Sequence, residues 1–588
     1  MKTWIYPQDP YQMNWIEGVK EWGDVLCPSS LSVNIIQIPQ EDGSLIERYV
    51  FQNITSKDIF TSRTDIGIYT PFNDSYEDTE TCLTQRCHAH IWCGGRASWV
   101  MALRMGAYPP HMGLALLQGS LCGYSVERDL SKGSNDRGDF ILHPSPLHLA
   151  PGESYTLEWV LFWHQGREDF KAKLSQYHVP LVESEHFVYF YDETVTYYSK
   201  EFKNSHIWPP TGIIQNESPD NIYRILVLPR LLELARRRCR FIIDHQQFHQ
   251  SGSRLDGAYL IYDNEEKHMY YNERYDYNAG RERVGMGLLM VELLKRYKVQ
   301  GAKESILDYR SFVCRELLNP STGEVYNDAG RDDSYKRLYN APWYARFFVE
   351  FYSLWRHEED LDLALRILDN YYSQGGDRFY AIGIPVQMIL PLLSYRSADS
   401  VRMMEHFKQH AEYLLEQGIH YPPQEVNFEQ SIIAPAAIFL LEMYAVTQDP
   451  RYLTGAEEHI RLLDMMTGFQ PDYHLFENSI RHWDGYWFGK RMLYGDTFPH
   501  YWGSLTGLAF LYYGRLTHQE SWIQRGNNAL RGVLGLYSYR DGTATCAYVY
   551  PLTVNGQQAQ GPDPFANDQD WGLYFALKEL KFPNPGKK

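Results

Sequence analysis

Between Glu477 and Gly503 the chain reads ENSIRHWDGYWFGKRMLYGDTFPHYWG. Trp483, Tyr486, Trp487, Phe488, Tyr494, Tyr501 and Trp502 are interleaved there with Asp484, Asp496, Arg481, Lys490, Arg491, His482, His500 and Asn478. A packed core would strand those charges at several kcal/mol each, and a solvated loop has no use for so many rings. Flat aromatic faces beside forked hydrogen-bonding groups match a pyranose, with its apolar C–H faces and its belt of hydroxyls. The expectation is a carbohydrate-active site; the rival is an ordered loop that packs two helices together.

Cleaving a glycosidic bond by hydrolysis takes two carboxyl groups, one to protonate the leaving oxygen and one to activate water or attack carbon. Glu429 precedes the apolar run Ile432, Ile433, Ala434, Ala436, Ala437, Ile438, which predicts a helix buried on most sides whose N-terminus opens onto the site. Rings around a carboxyl there would raise its pKa toward what a general acid needs. Asn427 and Gln430 also have capping-box spacing, so Glu429 could instead complement the helix dipole. Asp484 lies between Trp483 and Gly485, where no cap is called for, whereas Asp496-Thr-Phe-Pro reads as a helix start. Glu429, Asp496 and Asp484 are therefore the catalytic candidates. Arg481 and His482 beside Asn478 suit a substrate carboxylate, since arginine is its natural bidentate partner. Trp483 and Trp487 offer stacking faces. Other loops add Tyr277, Arg283, Arg331, Tyr339, Asn340 and Tyr550 as binding candidates, while Asn278 and Asp568 have good alternative roles as helix caps. The glycine turn with Arg378 and Tyr380 has no phosphate-loop lysine, and no Gly-x-Ser-x-Gly or His-Glu-x-x-His pattern occurs, which disfavours nucleotide binding, serine hydrolysis and zinc proteolysis.

Three regions must position these groups. Residues 1–170 are short β-branched and aromatic segments divided by turns, with Tyr155, Leu157, Trp159 and Leu161 alternating, and predict an antiparallel β-sandwich. Residues 171–220, with four prolines, read as an interdomain linker. From 221 to 588 the period is helical, beginning with IYRILVLPRLLELARRRCRFIIDH and continuing through about twelve helices. Their links alternate: short near 298–302, 356–360, 395–399, 447–450 and 517–519, long and aromatic elsewhere. Six hairpins whose short turns face one way put every long loop at the other end. That pattern predicts an (α/α)6 barrel with its crater ringed by the long loops, rather than an open solenoid, which would show a fixed-length repeat.

The chain has 588 residues, 44% of them hydrophobic and 22% charged, and a net charge of −17. That charge argues against nucleic acid and anionic membrane as partners, while local arginines can still hold an acidic small molecule or oligosaccharide. A homo-oligomer is left open. The N-terminus has no apolar h-region, and no apolar run approaches the roughly 18 residues of a membrane span, so a cytoplasmic protein is expected. Cys82, Cys87 and Cys93 with His88 and His90 fit no zinc-finger spacing, and alternating buried strand positions explain Cys87 and Cys93 as well. Neither metal nor cofactor is expected.

The sandwich-then-barrel order resembles the six-hairpin glycosidases. The phrases CHAHIWCGG, FEQSIIAPA and RHWDGYWFGKRMLYGDTFPHYWG together resemble the β-glucuronidases of glycoside hydrolase family 154. That resemblance implies exo-cleavage of a terminal β-linked glucuronic acid without a cofactor, and it assigns no catalytic residue. Two other readings stand beside the hydrolase. A polysaccharide lyase would break uronate-containing chains by β-elimination, with Asn478, His482 and Tyr486 or Tyr494 serving, and a non-catalytic carbohydrate-binding protein would keep the rings without the chemistry. A phosphorylase ranks third among the enzymes.

Overall fold

The computed structural model describes residues 1–129, 138–198, 205–207, 211–216, 221–422, 428–480, 489–491 and 497–580. Two six-stranded sheets open the fold. One runs in spatial order Leu31–Pro39, Leu45–Asn53, Ser154–His164, His111–Gln118, Trp99–Arg104 and Cys87–Trp92, antiparallel throughout. Along Leu45–Asn53 the side chains of Leu45, Glu47, Tyr49, Phe51 and Asn53 turn inward at a period of two, as a half-buried strand must. They meet Ile68, Tyr124, Phe140 and Leu142 of the second sheet in one shared core. Glu47 is fully buried in that core, where Trp22 Nε1 and Trp159 Nε1 each donate to it at 2.8 Å and Gln37 Nε2 at 2.7 Å. Three donors compensate a charge that burial alone would make untenable.

The second sheet orders Val25–Leu26, Gly67–Tyr69, Asp139–Pro144, Leu121–Glu127, Thr553–Val554 and Gln557–Gln558. Its last two strands come from the far end of the chain, Val554 pairing in parallel with Val126. The sandwich is thus not confined to residues 1–170. The segment expected as a linker also carries structure: Val188–Phe190 and Gly212–Asn216 flank Tyr223–Leu228 in a three-stranded sheet. Tyr223–Leu228 was expected to open the first helix and is a strand instead. Pro229 explains the break, because the residue before a proline is pushed out of the helical region.

Helices α1 (Thr79–Gln85) and α2 (Arg167–Gln176) accompany the sandwich. Twelve more follow among the described residues: α3 (Leu231–His245), α4 (Val284–Leu294), α5 (Ala302–Phe312), α6 (Asn340–Trp355), α7 (Glu358–Ser373), α8 (Val386–Ile389), α9 (Ser397–Gln417), α10 (Gln430–Thr447), α11 (Pro450–Met465), α12 (Gly503–Thr517), α13 (Glu520–Val533) and α14 (Asp570–Glu579). From α4 onward the even-numbered helices other than the one-turn α8 are apolar nearly all round, as in VGMGLLMVELL of α4, and α3 and α7 bury one side only. A helix without a polar side must be surrounded, so the even set forms the inner ring. Helix α10 is long and apolar enough to cross a membrane by composition, but 72% of it is buried inside the protein.

The inner ring closes on itself. Helix α14 packs on α4, α4 on α6, α8 on α10, α10 on α12 and α12 on α14. Arg346 of α6 spans to α8 by donating to Met388 Sδ at 3.0 Å and to Gly383 O at 3.3 Å. The seam where first and last inner helices meet is bound by Glu350 of α6. Lys578 Nζ and Tyr574 OH, both of α14, donate to Glu350 Oε1 at 2.6 Å, and Lys295, just past α4, donates to Oε2. Burial pushes this carboxyl up, but the two ammonium groups outweigh it and hold it down at about 2. With the outer helices on alternate turns, the N-termini of α4, α6, α8, α10, α12 and α14 all face the end where the long loops lie.

Candidate active site at the barrel mouth

At the head of α4, Arg281, Glu282 and Arg283 form one 3-10 turn and are all buried. Arg281 Nη2 donates to Glu282 Oε1 at 2.6 Å, its Nη1 to Tyr501 OH at 3.1 Å, and its guanidinium lies 5.1 Å from the centre of the Tyr339 ring. Arg337, just before α6, donates to Asp276 Oδ1 at 2.7 Å and to Glu282 Oε1 at 3.2 Å. Arg283 Nη2 donates to Asp276 O at 3.1 Å and to Asn567 Oδ1, which ties the first long loop to the last.

Two carboxyls and three guanidiniums in so small a volume split their protonation. Burial pushes Asp276 up, and the charge of Glu282 adds to it against Arg337. Burial acts on Glu282 too, but Arg281, Arg337 and Arg283 outweigh it and hold that carboxyl down. The two share a side-chain hydrogen bond, so a proton taken up by the pair goes to Asp276 before Glu282, as for other paired carboxyls. Tyr501 is pushed up to about 12 by burial, with Arg281 pulling the other way. It is a protonated donor near neutrality.

Helices α10, α12 and α14 complete the rim. Glu429 is buried at the N-cap of α10, yet its side chain caps nothing there; Ser431 Oγ donates to its Oε2 at 2.9 Å. Gln430 Nε2 donates to Trp502 O, joining α10 to α12. His500 Nδ1 accepts the Trp502 amide at 3.3 Å, and its Nε2 lies 3.5 Å from Asp568 Oδ2. The sandwich reaches this rim as well. The His88 ring stacks at 6.2 Å on Phe428, next to Glu429, and its Nδ1 is 2.8 Å from Tyr76 OH.

A concentration of buried polar atoms marks the mouth. Arg281 Nε, Arg283 Nε and Nη1, Asn278 Nδ2, Asn340 Oδ1, Tyr344 OH, Trp343 Nε1 and Trp571 Nε1 make no hydrogen bond to another described protein group. Such groups are rare in native interiors, and here they sit around the first turns of α4, α6 and α14. The N-termini of α4, α6, α10, α12 and α14 add positive dipole ends to a rim where three arginines meet the carboxyls of Asp276, Glu282, Glu429 and Asp568.

The structure brings together several residues expected from sequence and disperses others. Arg283, Tyr339, Asn340 and Glu429 lie at the inner-helix N-termini. Tyr277 is half-buried beside them, its hydroxyl donating to Gly489 O at 2.8 Å. Asn478 is buried, but its amide donates to His474 O at 3.0 Å and packs against Gly503 and Gly532, so it fixes helix packing. Glu477 is spent on Arg167 at 2.6 Å and Arg525 at 3.1 Å, a tie between sandwich and barrel. Tyr550 belongs to the sandwich core, against Tyr124 and near His474, three residues before the Thr553–Val554 strand that joins the second sheet. Arg331 takes a left-handed backbone at φ 57° and points to solvent. Asn278 makes a local turn, its Oδ1 accepting Gly280 N–H at 2.9 Å. Thr497–His500 was expected to start a helix and pairs instead as a strand with Ala547–Val549, the helix α12 beginning only at Gly503. Asp484, Asp496, Arg481, His482, Trp483 and Trp487 lie outside the described residues. Glu282 and Arg337 were missed; the only signal was a charged triplet placed directly before an apolar helix. Among the described residues no three His, Cys, Asp or Glu side chains gather to hold a metal.

No protein-family model matches the chain, and no curated protein does. One solved structure, described as Polysaccharide Lyase BACCELL_00875, matches over 98% of this chain and 96% of its own length, at 32% identity and a TM-score of 0.91. The chain belongs to the family of that lyase. This relationship places it among carbohydrate-active enzymes, with the β-rich N-terminal part and the helical part aligned together. Fainter likenesses run to a family 76 glycoside hydrolase from a bovine Bacteroides thetaiotaomicron strain, covering 83% of this chain and 98% of that one at 11% identity and a TM-score of 0.40. Another is to an unsaturated glucuronyl hydrolase from Streptococcus agalactiae, covering 59% and 89% at 11% identity and a TM-score of 0.37.

Proposed function

We propose that this protein is a lyase that cleaves a uronate-containing glycan by β-elimination. The observation that carries the reading is its likeness to a polysaccharide lyase along the full chain, and the mouth has chemistry to match. In such an elimination a base removes the proton at C5 of the uronate and the C5–H electrons form a C4=C5 double bond. The bond to the oxygen at C4 breaks, and that oxygen takes up a proton. Arg281, beneath the Tyr339 ring and beside Tyr501, is the group we assign to the substrate carboxylate, whose negative charge must be quenched before C5 can lose its proton. Tyr501, held protonated within 3.1 Å of Arg281, is the assigned acid. His482 is assigned as base on its residue type and sequence position. His500 is a poorer base, because both its ring nitrogens are already engaged.

Hydrolysis of a terminal β-glucuronide, implied by the family 154 resemblance, is the second reading, and buried Glu429 favours it. Asp276 and Glu282 cannot be its pair: they are hydrogen-bonded to each other, whereas flanking carboxyls stand about 5–5.5 Å apart in retaining enzymes and about 6.5–9.5 Å in inverting ones. Glu429 would need Asp484 or Asp496. One experiment separates the readings. Purified protein is offered uronate-terminated oligosaccharides, a polyuronate and p-nitrophenyl β-glucuronide, with ultraviolet absorbance and reducing ends followed together. An unsaturated, ultraviolet-absorbing product supports elimination. Free glucuronic acid released with no absorbance gain overturns it in favour of hydrolysis.

A further inference from the structure

A second cleft, of about 630 Å³, opens between the small sheet at Tyr223–Leu228 and the loop that follows α13. None of the mouth residues lines it. The two places share a strap: Gly489 O accepts Tyr277 OH at the mouth, while Arg491, two residues on, lines the cleft. Asp563 holds that strap by accepting the amides of Lys490 at 2.8 Å and Arg491 at 3.3 Å.

The cleft is built of rings on a rigid base. Tyr473, Tyr537, Tyr539 and Tyr548 line it. The Tyr548 ring stacks on His474 with centroids 3.8 Å apart and planes 25° from parallel. His474 Nδ1 is fixed by Asp472 Oδ1 at 2.9 Å, and Arg224 approaches the other Asp472 oxygen at 3.5 Å. A ring held by such a chain loses little freedom when a ligand stacks on it. Most of the charged groups already have partners. Arg491 Nη2 donates to Glu265 Oε1 at 2.5 Å, and Asp563 also accepts Phe565 N–H at 2.9 Å. Against Lys267 and Arg491 stand Glu265, Asp541 and Asp563, so the cleft has no positive excess for an anion. What remains for a ligand is the rings and hydroxyls of Tyr473, Tyr539 and Tyr548 and the Gln560 amide oxygen, the Tyr537 hydroxyl being spent on Gln569 O at 2.6 Å. Within the usual size range of roughly 300–1,000 Å³ for ligand sites, that inventory suits uncharged sugar rings.

We propose that this cleft is a second carbohydrate site, holding neutral pyranose residues of the same glycan whose uronate is processed at the mouth. The inference rests on reading the mouth as a glycan site and adds that the substrate is a mixed chain, not a pure polyuronate. Affinity electrophoresis tests it, with native gels containing galactan, xylan, mannan or polygalacturonate. Wild type is expected to be retarded in at least one neutral gel, and Glu429→Gln equally so. Tyr548→Ala and Tyr539→Ala, each removing a stacking face, should each weaken the retardation about tenfold, while kcat on a short uronide stays unchanged. No retardation in any neutral gel, retardation by polygalacturonate alone, or retardation that survives both tyrosine variants would overturn the proposal. Loss of retardation in Glu429→Gln would overturn it too, by placing binding at the mouth. Because binding is read without turnover, failure of the lyase reading in the absorbance assay leaves this result standing on its own.

Discussion

Glu350 is the point at which the helical ring is sealed, and replacing it tests whether the seam holds the mouth together. Its carboxyl is held at about 2 against an ordinary 4.5 by Lys295 and Lys578. A depression of about 2.5 units at 1.36 kcal/mol each is worth about 3 kcal/mol of folded-state stability. Glu350 is almost wholly buried and its two lysines about a quarter exposed, so Glu350→Gln removes the charge while both ammonium groups turn to water. The cost then falls at the lower end of the roughly 3–5 kcal/mol for breaking a buried ion pair. Hydrogen exchange read by mass spectrometry reports such a loss locally. Amides of α4, α6 and α14 should exchange about a hundredfold faster in Glu350→Gln at pH 7, the factor that about 3 kcal/mol implies, while those of the sandwich keep their rates. For a depressed carboxyl the stabilisation is complete above the unfolded pKa and is lost as pH falls from about 4.5 toward 2, so the difference between the two proteins should narrow over that window. Exchange in α4, α6 and α14 that matches wild type at pH 7, or a gain spread evenly over the sandwich, would refute the reasoning.

Four further outcomes are expected. Arg281→Lys keeps a charge but loses the forked contact to Glu282 and Tyr501, and should lower kcat by about 10²–10³, the range for removing one donor to a developing anion, as followed by ultraviolet absorbance. Glu429→Gln should leave elimination within about tenfold of wild type if the lyase reading holds, since a general acid or base contributes roughly 10²–10⁴ only where it acts. His164, His410 and His459 are held at about 4 and His111 at about 3, burial being the leading cause in each. Between about 4 and 6.5 the unfolded chain binds more protons than the folded one, so stability rises with pH there and falls on acidification by about 1.4 kcal/mol per unit for each histidine; thermal melts of His459→Gln should show a shallower acid loss. A Cβ on Gly285 would stand 2.8 Å from Trp571 Cδ1, so Gly285→Ala should cost about 1–3 kcal/mol by overpacking, seen as a lower melting temperature.

The helical half was legible because its signal is redundant. Each inner helix carries an apolar run, each outer helix a one-sided stripe, and the alternation of link lengths tells which ends are shared. Tyr223–Leu228 was not legible, since IYRILVL fits a strand or a helix equally by hydrophobicity alone and its sheet partners come from elsewhere in the chain. The site was half legible. Tyr339, Asn340 and Arg283 could be found by asking which polar residues stand at the start of apolar helices. Glu282 and Arg337 look like ordinary surface charges until folding buries them against each other, an outcome set by loop paths some 55 residues apart. Tyr550 and Asn478 show the opposite error: a ring or an amide beside the right loop is drawn away by packing that no local pattern reveals.

The pairing of Val554 with Val126 has a consequence for how the molecule comes into being. During synthesis the early sheets emerge with one edge unfilled, and the strands that finish them arrive only after helices α3 to α13 have been made. The two halves are therefore sewn together from opposite ends. A shortened version ending before residue 553 would expose a raw sheet margin to its neighbours, and separate expression of either half should yield material that clumps rather than folds.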